Sequence, residues 1–162
     1  METTAIILRG PIGVGKSTIA EELKEELSDG WVHLDIDKLK HVISKDSSKL
    51  RTTIAHNVAL YFLEQLIKNR FNVIVEEIFK EKIYRDAQDL LGRYNYKILK
   101  VFLTTPVDVS IERDKNRKNK TRGEKVVTDF HNQIKPLGED LTIDTSKHSL
   151  EEAAELILKA LN

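Results

Sequence analysis

The segment G-P-I-G-V-G-K-S, Gly10 to Ser17, follows directly on the apolar run A-I-I-L, Ala5 to Leu8. It fits G-x-x-x-x-G-K-[ST] in full. Glycines at this spacing let backbone N–H groups turn inward around phosphate oxygens, and the helix that leaves the loop presents its positive end there. The pattern needs a buried strand before it and a helix after it. Ile19, Leu23 and Leu27 supply the helical spacing, with Asp29-Gly30 as its stop.

Hydrophobic periodicity extends this unit along the chain. Trp31 to Ile36 reads as a second strand, in which His33, Asp35 and Asp37 alternate with Leu34 and Ile36. One long helix is expected next, with Ile54, Ala55, Val58, Ala59, Phe62, Leu63, Leu66 and Ile67 as a wide apolar stripe. Phe71 to Val75 is a third strand ending at Glu76-Glu77, and a short helix runs to about Leu91, closed by Gly92. Tyr96 to Leu103 is the fourth strand. Thr105-Pro106-Val107-Asp108 reads as a capped helix start with proline in the first turn. A further helix is expected over Glu124 to Ile134, a fifth strand over Leu141 to Asp144, and a capping box at Ser149-Leu150-Glu151-Glu152. That box opens a last helix with Leu150, Ala154, Ile157 and Leu161 inward. Strands alternating with helices imply parallel pairing. The expected fold is a three-layer, doubly wound α/β domain with a parallel five-stranded sheet, one domain over residues 1–162.

Composition excludes several alternatives. The 26 basic residues balance the 26 acidic ones, which argues for no general affinity for nucleic acid or membrane surfaces. Without cysteine there is no disulfide framework, zinc–thiolate site or thiol nucleophile. The apolar runs are too short to span a membrane, and the N-terminus lacks the basic flank and long apolar core of a signal peptide, so a cytoplasmic protein is expected. The five histidines show no ligand spacing. An N-K-x-D guanine reader fails, because Asn119-Lys120 continues into Thr121-Arg122, and Asp89-Leu90-Leu91-Gly92 reads as a helix end rather than a switch.

Residues beyond the glycine loop narrow the chemistry. Lys16 is expected to reach the outer phosphates and the Ser17 hydroxyl to ligand Mg²⁺. In H-L-D-I-D-K-L-K, Asp35 and Asp37 are expected on one side of the strand, at its carboxyl end, where ligands collect in open parallel sheets. A carboxylate there can orient and deprotonate an acceptor hydroxyl; the alternative for Asp37 is a helix cap. In V-I-V-E-E, Glu76 or Glu77 can hold a metal hydration shell, position favouring Glu76. In I-E-R-D-K-N-R-K-N-K-T-R, Arg113 and Arg117 share a helix face, with Arg122 in the loop beyond. Such cations can close over a triphosphate as a lid of about residues 113–125, or serve as a solvated turn or nucleic-acid patch.

These motifs together resemble the small phosphate-loop kinases built like adenylate, shikimate and gluconate kinase, and among them chloramphenicol phosphotransferase and the polynucleotide kinase domain. The likeness covers I-I-L-R-G-P-I-G-V-G-K-S-T, D-I-D-K-L, V-I-V-E-E, R-D-K-N-R and D-T-S-K-H-S. It implies a sheet order of 2-3-1-4-5, Asp37 as general base, and Arg113 and Arg117 as the R-x-x-x-R lid. Asp144, Thr145 and Ser146 would border the adenine. ATP would then be held by Gly10, Pro11, Ile12, Gly13, Val14, Gly15, Lys16, Ser17 and Thr18 with Arg122 and the Asp144–Ser146 loop, and Mg²⁺ by Ser17, Asp35 and Glu76. The chain departs from the pattern in its glutamate pair after strand three, and it carries no shikimate- or gluconate-reading signature. The expected activity is transfer of the ATP γ-phosphate to a small-molecule hydroxyl, with Lys38 to Asn57, including Lys40 and Arg51, forming the acceptor pocket. A polynucleotide or nucleoside 5′-hydroxyl kinase is the alternative acceptor class, and a nucleotide-binding regulatory module the alternative without phosphotransfer.

Overall fold

The computed structural model describes residues 3–27, 29–44, 48–78, 80–117 and 121–161. The chain order is β1 (Thr4–Arg9), α1 (Lys16–Glu26), β2 (Trp31–Asp35), α2 (Ile36–Ile43), α3 (Lys49–Lys68), β3 (Asn72–Glu77), α4 (Glu81–Arg93), β4 (Lys97–Thr104), α5 (Val107–Lys115), α6 (Glu124–Gln133), β5 (Leu141–Asp144) and α7 (Leu150–Leu161). The strands form a five-stranded sheet in the order β2-β3-β1-β4-β5, every neighbouring pair parallel. This is the strand order that the resemblance to small phosphate-loop kinases implies.

Alternation along the strands builds two cores, one on each face. Ala5, Ile7, Leu34, Val73 and Val75 pack with Ala59, Leu63, Ala87 and Leu91 of α3 and α4. Ile6, Leu8, Ile74, Val101 and Leu103 pack on the other face with Ile19, Leu23, Ala154 and Ile157 of α1 and α7. The capping box of α7 is reciprocal: Ser149 N–H donates to Glu152 at 2.8 Å and Glu152 N–H to the Ser149 hydroxyl at 3.2 Å.

Several local expectations are corrected. The second strand stops at Asp35, whose carboxylate accepts from Lys38 N–H at 3.0 Å and so caps α2. Asp35, not Asp37, is therefore the cap, and Asp37 lies in the first turn of a helix rather than on a strand. The single long helix is two, α2 and α3, the second capped by Ser48. Of its expected apolar stripe, Ala55, Ala59, Leu63, Leu66 and Ile67 are buried, whereas Ile54, Val58 and Phe62 are exposed. Gly92 lies inside α4, and the turn that ends this helix uses Asn95 at φ 57°, with Tyr96 N–H donating to Leu91 C=O at 3.2 Å. Pro106 caps α5 instead of entering its first turn. Asn119-Lys120 and the middle of the acceptor segment, residues 45–47, fall outside the described residues.

Candidate active site

The glycine loop is shaped by close packing at two points. At Gly10 (φ 156°) a Cβ would meet the Leu103 carbonyl oxygen at 2.3 Å, and at Gly13 (φ 84°) it would meet Ser110 at 2.9 Å. Only glycine fits either position without displacing backbone. The loop then enters α1 at Gly15, with no side-chain cap and no acidic residue in the first turn. The N–H groups at the positive end of α1 therefore have no side-chain acceptor of their own, as an anion site requires. His131 of α6 braces the loop from outside, its Nε2 lying 3.2 Å from Ile12 C=O and 2.9 Å from the Ser110 hydroxyl.

Arg9 fixes the strand end from which the loop departs. Its buried guanidinium donates to Lys135 C=O at 2.6 Å and to Glu139 at 2.9 Å, 5.4 Å from the centroids of both the Tyr84 and Phe102 rings. Such a charge is tolerated in the interior because it is both paired and stacked.

Lys16 is buried and donates to Gly10 C=O at 3.0 Å and Pro11 C=O at 2.9 Å. Burial pushes its ammonium pKa down, opposed by the nearby Asp37 and Glu76 carboxylates.

The consecutive glutamates at the end of β3 go to opposite faces, a consequence of strand periodicity. Glu76 continues the Ile74 side toward α1, where it accepts the Ser17 hydroxyl at 2.5 Å and lies 3.1 Å from His33 Nε2. Glu77 continues the Val75 side, pairs with Lys40, and lies 2.9 Å from His56 Nε2. Both are buried, so neither is a solvated strand end. The Ser17–Glu76 contact bears on the choice between them: Glu76 is the glutamate that faces the end of the glycine loop.

Asp35 pairs with Glu76 in the sheet register. Burial and the like charge of Glu76 push its carboxyl pKa up, an arrangement a dication would relieve. Asp37 lies 2.9 Å from Lys40 Nζ. Burial alone would raise its pKa, but Lys40, with Lys16 and Arg122 beyond, holds it below the usual carboxylate range. It is thus an ionised carboxylate within the field of the loop lysine. Among the described residues no group of three or more His, Asp or Glu is assembled as a metal cluster. A hydroxyl and a carboxylate at 2.5 Å nevertheless fit Mg²⁺, which usually takes one or two protein ligands and completes its shell with water and phosphate.

A cavity of about 360 Å³ opens beside the loop, lined by Gly13, Val14, Gly15, Thr18, Ile19, Arg113, Arg117, Thr145, His148, Ser149, Leu150 and Ala153. Arg113 is built into its wall, donating to the Thr145 hydroxyl at 2.8 Å, Thr145 C=O at 2.9 Å and Gly13 C=O at 3.4 Å. Thr145 also donates to Val14 C=O at 3.0 Å. Asp144 does not line the cavity; it accepts from Ser146 N–H and hydroxyl at 3.0 and 2.7 Å, and so shapes the turn that presents Thr145. Arg117 is half-exposed, 3.7 Å from the buried Asp114, whose carboxylate also accepts the backbone N–H groups of Arg122 and Gly123 at 2.9 Å. Arg122 itself reaches over α2, 3.3 Å from His41.

Sequence reading missed His33 and His56, the clamps on the two glutamates, and His148, Ser149, Leu150 and Ala153, which complete the cavity. His148 and Ser149 fall within the D-T-S-K-H-S likeness and Leu150 on the inward stripe of the last helix. No local pattern gave any of the six a place in the site, because the elements they meet there are distant in sequence.

The comparisons with known proteins agree with this fold. The chain is 27% identical over 172 residues to a Pyrococcus abyssi (strain GE5 / Orsay) protein named "Probable adenylyl-sulfate kinase", covering 98% of this chain and 95% of that one. In fold it is similar to the Mycobacterium tuberculosis APS kinase solved with AMPPNP and APS (TM-score 0.76, 18% identity, 99% and 98% of the two chains). It is likewise similar to a gluconokinase from Sinorhizobium meliloti 1021 (TM-score 0.73, 20% identity, 98% and 91%). The sequence profile of the AAA domain family AAA_33 matches residues 6–137, the stretch that carries the glycine loop, both acidic strand ends and the arginine helix, and the chain belongs to that phosphate-loop kinase family.

Proposed function

We propose that the protein transfers the γ-phosphate of ATP to a hydroxyl group of a small-molecule acceptor. The observation that carries this reading is the position of Asp37: an ionised carboxylate, held by Lys40, inside the electrostatic reach of the phosphate-loop lysine. A nucleotide-binding module without phosphotransfer would have no use for a base there.

The phosphates occupy the loop from Gly10 to Thr18, where N–H groups and the positive end of α1 face them. The nucleoside enters the cavity beside Thr145, and the APS kinase solved with AMPPNP supports an adenine nucleotide. Ser17 and Glu76, with Asp35 behind, are the residues that would hold Mg²⁺, which when bound neutralises phosphate charge. Asp37 takes the acceptor O–H proton; the oxygen forms a bond to the γ-phosphorus as the bond to the β,γ-bridging oxygen breaks, leaving ADP. Lys16, Arg113 and Arg117 stabilise charge on the transferring group. The acceptor lies against Lys38 to Asn57, where Lys40 and Arg51 are already partly engaged.

The test is ATP turnover with and without a panel of hydroxyl compounds: sugars and sugar acids, nucleosides, adenylyl-sulfate and a 5′-hydroxyl oligonucleotide. Acceptor-dependent ADP formation with a new phosphomonoester signal by ³¹P NMR is expected for a small molecule. Turnover with the oligonucleotide alone would transfer the activity to polynucleotide ends. ATP binding without turnover on any acceptor would favour the regulatory module.

A further inference from the structure

Every carbonyl of the glycine loop from residue 10 to residue 15 is already engaged. Lys16 donates to Gly10 and Pro11, His131 to Ile12, Arg113 to Gly13, the Thr145 hydroxyl to Val14, and Ile19 N–H to Gly15. The N–H groups of residues 13–18, by contrast, donate to no protein acceptor among the described residues. A loop whose carbonyls are all pinned keeps its donors free for an anion. Lys16, Arg113 and Thr145 already belong to the site; His131 has no part in it yet.

His131 sits on α6, its Nε2 3.2 Å from the Ile12 carbonyl and 2.9 Å from the Ser110 hydroxyl oxygen on α5. Burial lowers the ring's pKa; the bond to Ile12 opposes this and Lys135 and Lys16 add to it, so the ring is neutral at neutral pH. A neutral imidazole carries one proton and a carbonyl only accepts, so that proton is on Nε2. A trans peptide sets its C=O and N–H on opposite sides. With Ile12 C=O held toward α6, the Gly13 N–H is turned away from α6.

Gly13 is also where the loop most easily loses this orientation. Its φ of 84° suits glycine, and the same freedom permits a flipped peptide with a carbonyl where the N–H now stands. Ser110, at 2.9 Å from a Cβ at this position, leaves no room for a side chain that would restrict it. The hydrogen bond from His131 is what selects between the two orientations.

We propose that His131 is a positioning residue of the phosphate site: it holds the Ile12–Gly13 peptide so that the Gly13 N–H faces the phosphates. The inference rests on the phosphate-site reading of the loop. It also links that site to the seat of α6, whose cap residue Gly123 donates its N–H to Asp114 of α5 at 2.9 Å.

Pyrophosphate, which fills the loop without a nucleoside, is the probe. His131→Phe keeps a ring and removes the donor. It is expected to weaken pyrophosphate binding in calorimetry by roughly three- to tenfold, about the worth of one hydrogen bond, and to move the Gly13 amide resonance of the free protein. His131→Gln carries an N–H at similar reach and is expected to bind as the wild type does. The ring itself is read in the wild type, where ¹⁵N spectra are expected to show the proton on Nε2, so the test stands even if His131→Phe does not fold. A bare Nε2 overturns the proposal. So does a His131→Phe protein with a lowered melting temperature but unchanged pyrophosphate affinity, which makes His131 a packing residue only. A wild type that binds neither pyrophosphate nor ATP overturns the phosphate-site reading and the proposal together, whereas a loss confined to His131→Phe and absent from His131→Gln supports the proposal alone.

Discussion

Lys40 stands one helical turn from Asp37, its ammonium 2.9 Å from the carboxylate, and the same ammonium is shared with Glu77 on β3. The pair thus ties the first turn of α2 to the end of a central strand. Lys40 cannot fully neutralise Asp37, because Glu77 draws on the same charge. The result is an ionised aspartate held in place, facing the loop lysine across the sheet end.

Removing that tie has a definite cost. Lys40→Met leaves Glu77 buried without its cation, and breaking such a pair typically costs about 3 kcal/mol or more. Lys40→Met is expected to lower the urea midpoint strongly, and Lys40→Met with Glu77→Gln to recover part of the loss. A double-mutant coupling of at least about 1 kcal/mol is the expected reading; additive effects would show the two side chains to be independent.

Asp37→Asn keeps the shape of the first turn and removes the base. ATP affinity is expected to hold while turnover falls by roughly 10²–10⁴-fold. The pH dependence has a fixed sign. With its folded pKa depressed, mainly by Lys40 against the opposing effect of burial, the wild-type carboxylate stays ionised below the ordinary aspartate range. The acid limb of kcat/KM should therefore lie below the range of an ordinary aspartate. The stability that ionised Asp37 contributes is present above its unfolded pKa and is lost as pH falls through the folded value. A wild-type acid limb above that range, or near-normal turnover in Asp37→Asn, would place the base elsewhere, with Asp35 next.

Lys16→Ala is expected to abolish most ATP turnover and leave the melting temperature close to that of the wild type. The buried lysine spends its hydrogen bonds on the Gly10 and Pro11 carbonyls and is disfavoured by burial, so the fold gains little from it. Unchanged turnover would remove it from the phosphate site.

Arg117→Ala separates a nucleotide lid from a nucleic-acid patch. Half-exposed and 3.7 Å from Asp114, the residue lines the cavity beside the loop. As a lid it is expected to lower turnover with every acceptor, about equally at two salt concentrations. A defect confined to an oligonucleotide acceptor, with a reduced salt slope, would mark a phosphate-backbone contact instead.

The strands themselves and the phosphate loop were legible in the sequence because both are written locally, whereas the strand order β2-β3-β1-β4-β5 came only from the family resemblance. Strand periodicity, the glycine spacing and the following helix each need only neighbouring residues to be read, and β5 emerges over Leu141–Asp144 as its pattern indicates. Boundaries were harder where two local rules compete at one residue. Asp35 is both the last strand position and the cap of α2, so alternation carried the strand one residue too far and misplaced Asp37. The apolar stripe of α3 was likewise read too wide, since helical spacing alone cannot tell a core face from an open one. What only the tertiary structure decided is the sorting of charge at the sheet end. Adjacent in sequence, Glu76 and Glu77 part to opposite faces. His33 from β2 and His56 from α3 then meet them from elements that no local pattern connects. The physical reason is distance along the chain. Alternation states that two neighbouring side chains diverge, but which partner each one finds depends on which elements the sheet order brings beside it.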